Sequence, residues 1–424
     1  MRAVIFSFIL IWPLGVRATS CDSILKPVLG SKLGTCQKLT KKERSCLAGH
    51  SLNRFTFVKR VDEKSIEEEE NSGFHVKAQC IINLASLASL GTLHISAPMQ
   101  EDVLRYVNRI KGLHTIIFDE TNTKDVHMAK FRPPSGLRRL SFKDKFITDK
   151  SLKSIGKCKK LTHLDLSGTE ITGRGFYHLS GLTSLESLAV RELPLEDAAW
   201  AVIGKMRTLR ILDANHSGLN DASFMKLTGL SHLRTLKIAG ADLSSASCKL
   251  LAAFPLLTHL QMSGSSVTDA AMIHLAAISG LTYLDLSSKT LTDKGLAYLS
   301  RLAGIKTLLV HAPKVKGTAL ASMASLPISK LAIHLNDVGC SNMGTMKLKR
   351  LAVTGAVTEY CLEQIAKISN LEALTLKNTA ITDSGLLKLR AHPTIRRLTI
   401  SGGKISASGI AALKKQLPRL KTTP

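Results

Sequence analysis

Residues 281–304 read LTYLDLSSKTLTDKGLAYLSRLAG, and lines of the same form recur along the chain. LTHLDLSGTEITGRGFYHLSGLTS occupies 161–184, LTHLQMSGSSVTDAAMIHLAAISG 257–280 and LEALTLKNTAITDSGLLKLRAHPT 371–394. Aligned in this way, turns begin at Leu90, Leu113, Leu137, Leu161, Leu185, Leu209, Leu233, Leu257, Leu281, Ile305, Ile328, Leu348, Leu371 and Ile395. Nine of the thirteen intervals are 24 residues, and a fixed period of that size marks a repeat architecture.

Each line has two halves. The first is L-x-x-L-x-L, as in Leu161, Leu164 and Leu166, and its last two apolar positions alternate with exposed ones, which is strand periodicity. The second is I-T-D-x-G-L-x-x-L, as in Ile381-Thr382-Asp383-Ser384-Gly385-Leu386 with Leu389. Thr or Asp there caps a short helix by accepting its unpaired N–H groups, and Leu386 and Leu389 share one helical face. A single turn cannot bury its Leu stripe. Stacking gives each strand a parallel partner and closes a continuous core. Each buried Leu then contributes roughly 1.5–3 kcal/mol before chain entropy is charged.

Composition fits this. Hydrophobic residues make up 44% of the 424 and aromatic residues only 4%, so the core must be packed mainly by aliphatic side chains. The formal net charge is +26. The excess is uneven: 388–424 holds nine Lys/Arg and no acid, and 137–160 holds nine against Asp144 and Asp149. Such a surface attracts polyanions, and it also keeps a long repeat array soluble.

The N-terminus reads as a secretory signal over 1–18. Arg2 is followed by the apolar run AVIFSFILIWPLGV at 3–16, too short to span a bilayer, and cleavage is expected after Ala18 or Ser20. Cys21 raises a second reading, a lipid anchor, although Arg17 and Ala18 depart from the bacterial lipoprotein pattern. Localisation is therefore read as secreted, periplasmic or cell-surface. No other apolar stretch is long enough to be transmembrane. Four of the eight cysteines, Cys21, Cys36, Cys46 and Cys80, fall in 19–89, which reads as a small N-terminal cap stapled by two disulfides of undetermined pairing. Cys340 and Cys361 occupy near-matching positions in consecutive turns and form a further candidate pair. Cys248 replaces a core Leu and reads as a buried thiol, and Cys158 has no evident partner. The run Glu67–Glu70 reads as an exposed acidic loop.

Two turns depart from the pattern. The Ile328 turn has only 20 residues, with two glycines and no clear helix, and predicts an irregular loop. The Leu113 turn carries Pro133-Pro134, which predicts extended chain in place of its helix.

The L-x-x-L-x-L pattern resembles the leucine-rich-repeat superfamily over residues 90–420. The I-T-D-x-G-L-x-x-L half looks like 24-residue bacterial repeats of secreted proteins and of the GALA class of plant-pathogen effectors, and similar repeats occur in F-box proteins. The Asn of the usual L-x-x-L-x-L-x-x-N is missing, and Gly168, Gly240 and Gly264 take that region. The resemblance implies an α/β leucine-rich-repeat solenoid of about 14 turns over 90–424: a curved horseshoe with a parallel sheet on the concave face and short helices on the convex face. It implies binding rather than chemistry, and repeat motifs say little about the ligand.

Exposed strand positions then become the candidate binding face: His163, Asp165, Asp213, His259, Tyr283, Asp285, Arg350 and Arg397, with Tyr283 as an anchor. His163 beside Asp165 offers too few ligands for a metal. The sequence contains no H-E-x-x-H, G-x-S-x-G or phosphate-binding loop motif, so the chain reads as a non-enzyme without cofactor or metal. The expected partner is a protein or an anionic polymer or surface, with no specific nucleic-acid motif. The alternative is a secreted effector or ubiquitin-ligase-type adaptor whose repeats select targets; no adaptor-binding motif is present in 19–89.

Overall fold

The computed structural model describes residues 51–58, 76, 78–85, 89–143, 145–263 and 267–423. The signal segment, Cys21, Cys36, Cys46 and the Glu67–Glu70 run lie outside these. The chain divides into two units, Met1–Leu212 and Asp213–Pro424.

In the first unit, strands Ser51–Val58, Ser89–Ser96, Thr115–Asp119, Arg139–Lys143, His163–Asp165 and Ser187–Ala189 pair in parallel, each with the next in the chain. The first of these extends the sheet into the segment read as the cap, with Leu52 opposite Leu90. In the second unit the same order runs from Thr235–Ile238 through His259–Ser263, Tyr283–Ser287, Thr307–His311, Lys330–His334, Arg350–Thr354, Ala373–Lys377 and Arg397–Ser401 to Lys421–Thr423. Register follows the repeat: Leu260, Leu284 and Leu308 lie side by side. A slip of one residue would turn every core side chain to solvent, so the buried stripe enforces the pairing.

The first, fourth and sixth residues of each turn form the core. Leu281, Leu284 and Leu286 are fully buried, and so are Leu161, Leu164 and Leu166 to within 2%. Several of the few aromatic residues also go inside: Phe118, Phe131, Phe142, Phe176, Trp200, Phe224 and Phe254 are among the largest buried side chains. Phe118 and Phe142 stack at 5.0 Å across neighbouring strands. In some turns a small hydroxyl residue is buried where the usual Asn would stand. Thr169 donates to the Leu166 carbonyl at 2.7 Å and Ser217 to that of Ala214 at 2.6 Å, so each bonds its own turn.

The polar link between turns sits on the helix side. Thr148, Thr268, Thr292 and Thr358 cap their own helices, as their position suggests. The acid that follows does something else: it accepts from the next turn. In the first unit Asp125 takes the Thr148 N–H at 3.1 Å and hydroxyl at 2.6 Å, and Asp149 takes those of Thr172 at 3.3 and 2.6 Å. In the second unit Asp269 receives Thr292 at 2.8 and 2.6 Å, Asp337 receives Thr358 at 2.8 and 2.7 Å, and Glu359 receives the Thr382 hydroxyl at 2.6 Å. Asp293 accepts three backbone N–H groups, from Lys316, Gly317 and Ala319, at 2.7, 2.9 and 3.1 Å.

This ladder makes stability depend on acid. Burial alone would raise the Asp125 carboxyl, but hydrogen bonds from Ser151 and Thr148 outweigh it and hold the pKa below the ordinary range. Bonds from Ser247 to Asp221 and from Thr382 to Glu359 lower those acids too. A carboxylate depressed in the folded state contributes its full stabilisation above its unfolded pKa and loses it as pH falls through the folded value. The midpoint of chemical denaturation should therefore hold between neutrality and pH 5 and decline below about pH 4. Asp125→Asn should make that decline shallower; an unchanged acid slope in the variant would remove the ladder as its cause.

Both irregular turns form more regular structure than the sequence suggested. The Leu113 turn makes a one-turn helix, Asp125–Ala129, which ends before Pro133 and so escapes the proline constraint. The 20-residue turn from Ile328 also makes one, Asp337–Cys340, capped by Asn336 accepting from the Gly339 N–H at 3.2 Å. A Cys340–Cys361 disulfide pins that helix to the next turn across 21 residues, and closing a loop of this length contributes about 3 kcal/mol. Cys80 is also disulfide-bonded. Cys158 and Cys248 are buried thiols outside any disulfide. Burial pushes their thiols up to about 12 and about 11 respectively. Neither should react with iodoacetamide in the folded protein, and both should react in denaturant; labelling of either under native conditions would contradict the packing.

Candidate functional site

The third, fifth and seventh residues of each turn point away from the core and form the open face of the sheet. On the first unit this face carries His163 and Asp165, two residues apart on one strand. They do not form a pair. His163 Nδ1 lies 2.9 Å from the Thr162 hydroxyl, and Asp165 accepts the Ser167 N–H at 3.0 Å with Arg191 at 3.9 Å. Burial lowers the His163 pKa, and the neighbouring Arg139 lowers it further.

On the second unit the candidates separate into three groups. Asp213 is buried and ion-paired with Lys237 at 3.2 Å, which ties it to the sheet. His259, Tyr283 and Asp285 come together. Register places His259 beside Tyr283, and the rings stack at 5.6 Å with an interplanar angle of 17°. Asp285 follows two residues on, on the same strand and face, and the two groups influence each other's ionisation. His311 joins them, its Nε2 lying 4.0 Å from an Asp285 oxygen. Burial raises the Asp285 pKa, with His311, Lys330 and Tyr283 pulling the other way. Burial also raises that of Tyr283, helped by the Asp285 charge. The result is a fixed aromatic pair beside a partly desolvated acid.

Arg350 and Arg397 form the third group, with Lys330 and Lys421 aligned beside them. His311 and Lys421 were missed as site residues. Counting 24 residues on from Ser287 and Arg397 finds both.

Among the described residues no group of three or more His, Cys, Asp or Glu is placed to hold a metal, and no helix is long and apolar enough to cross a membrane. The depressions on the open face are shallow and strand-lined, as at Thr115, Arg139 and His163 in the first unit. Such surfaces suit a partner laid across them better than an enclosed small molecule.

A family model for the leucine-rich repeat matches residues 157–177, which span the Leu161 strand and the start of its helical half. The comparison with curated proteins finds no relative. Among solved structures the fold is similar to an internalin from Listeria monocytogenes, 16% identical, covering 81% of this chain and 88% of that one with a TM-score of 0.47. It is also similar to a leucine-rich-repeat protein of Leptospira interrogans, 15% identical, covering 82% and 92% with a TM-score of 0.42. The 24-residue period, the parallel strands in repeat register and the matched repeat together give this chain the fold of a leucine-rich-repeat solenoid.

Proposed function

We propose that the chain is a non-catalytic, extracytoplasmic binding scaffold, and that the open face of Asp213–Pro424 takes a protein partner with Tyr283 as its anchor. The observation that carries this is the stack of His259 on Tyr283, with Asp285 beside them on the Tyr283 strand. An aromatic side chain already locked by its neighbours loses little entropy on binding, and its hydroxyl and the adjacent carboxylate give orientation. Leu309 opposite Asp285 and Ala332 beyond it leave the next rungs apolar and free of charge. Secretion is supported by the Cys340–Cys361 bond, since disulfides persist in oxidising compartments. The apolar run at 3–16 supports it independently.

Tyr283→Ala tests the anchor. The full chain and the variant, matched in melting temperature, are immobilised and challenged with cell-surface proteins. Truncating a hot-spot aromatic costs about 2 kcal/mol, so partners held by the parent should be held roughly thirtyfold more weakly by the variant. Equal retention would remove Tyr283 as the anchor. Mass spectrometry of the exported protein tests the other half: a new N-terminus after Ala18 or Ser20 is expected, and an intact Met1 with free thiols would sink secretion.

A further inference from the structure

Five neighbouring strands of the second unit, Lys330–His334, Arg350–Thr354, Ala373–Lys377, Arg397–Ser401 and Lys421–Thr423, contain no acidic residue. Their first residues lie side by side in register: Lys330, Arg350, Ala373, Arg397, Lys421. All four cations are exposed, and among the described residues none is in a salt bridge, although Lys330 lies near enough to Asp285 to act on its charge. The acid nearest in sequence, Glu372, precedes the Ala373 strand and sits between Lys349 and Arg396, its backbone bonded to both. Unlike Lys237 with Asp213, none of the four is locked to a carboxylate, and Arg350, Arg397 and Lys421 have no acid on their own or adjoining strands. Next to it runs a second row of small neutral side chains, Ala332, Ala352, Thr375 and Thr399, which leaves a shallow trough of about 290 Å³ alongside the cations.

The spacing narrows the partner. Parallel strands are about 4.8 Å apart, so the positive charges fall one, then two, then one rung apart in a line across the strands. One rung is close to the length of a single pyranose ring along a linear glycan, so acidic groups carried on every sugar or every second sugar stay in step with the row. An extended acidic peptide presents like side chains about every 6.6–6.8 Å, and drifts out of step. Single-stranded nucleic acid is held by stacking on aromatic side chains as well as by charge, and no aromatic residue lines the trough. The two arginines add forked donors that fit carboxylate and sulfate oxygens two at a time.

We propose that Lys330, Arg350, Arg397 and Lys421 bind a linear acidic glycan laid across the five strands, with its sugar rings over the Ala/Thr trough. This rests on the open face being the binding face, as the proposed function does, but on none of the same residues.

The test uses the full chain with a heparin oligosaccharide, which carries both sulfate and carboxylate, as the probe. Single-stranded DNA and polyglutamate of equal charge serve as comparators. Arg350→Ala/Arg397→Ala should weaken glycan binding roughly tenfold or more and flatten its salt dependence. Lys414→Ala/Lys415→Ala removes the same charge from the exposed side of the helix Ala407–Gln416 and should change it less than about twofold. Tyr283→Ala should leave it unchanged. Equal losses in the two double variants, or DNA or polyglutamate held as tightly as the glycan, overturn the proposal. Loss in Tyr283→Ala with the arginine variant intact also overturns the row, while leaving the open face as the binding face.

Discussion

Gly339→Ala is expected to destabilise the second unit by about 4 kcal/mol, because the methyl group has nowhere to go. A Cβ at this position would lie 2.2 Å from the Lys316 carbonyl oxygen and 2.8 Å from the Gly317 Cα, both backbone atoms of the preceding turn. Neither can retreat easily. Gly317 has a φ of +91°, a conformation that disfavours side chains, and its N–H is held by Asp293 at 2.9 Å. Two glycines thus face each other where a turn of 20 residues, rather than 24, draws its helix inward. Hydrogen exchange should show protection lost in the strands Thr307–His311 and Lys330–His334. Gly304→Ala, whose Cβ would meet only two carbonyl oxygens at 3.6 and 3.9 Å, should cost less than about 1 kcal/mol. A Gly339→Ala protein as stable as that control would show that the two turns are not packed backbone to backbone.

Asp293→Ala should cost about 3 kcal/mol, from three backbone N–H groups left without their charged acceptor. The bonds at 2.7, 2.9 and 3.1 Å all go to one carboxylate, which fixes the conformation of 316–319. Water reaches the rim of the site and replaces part of the loss, so the estimate stays below the sum of three charge-assisted bonds. Lys294→Ala, next door, should change stability by less than about 0.5 kcal/mol. Because Asp293 and Gly339 restrain the same segment from opposite sides, their variants should not be additive. A double variant equal to the sum of the singles would separate the two devices.

The candidate site was legible where its residues obey the 24-residue period. Alternation marked His259, Tyr283, Asp285, Arg350 and Arg397 as open-face residues, and register then put the first three in contact. It did not show that Asp213 is consumed by Lys237, or that His163 and Asp165 point to other partners. Those outcomes depend on which rotamer reaches across to a neighbouring strand, and a linear pattern carries no such information.

The sequence by itself determined the repeat, the identity of the core positions and the strand register, because a Leu stripe with a constant period can be buried only by in-register stacking. Tertiary structure decided how successive turns are joined. A Thr followed by Asp reads locally as a helix cap, and the Thr is one. The Asp turns outward to the next turn because stacking brings unpaired N–H groups within its reach. The same proximity forms the Cys340–Cys361 bond and aligns Lys330, Arg350, Arg397 and Lys421 into one row. Each is a contact between residues 20 or more apart, fixed by the spacing of stacked strands rather than by any local preference.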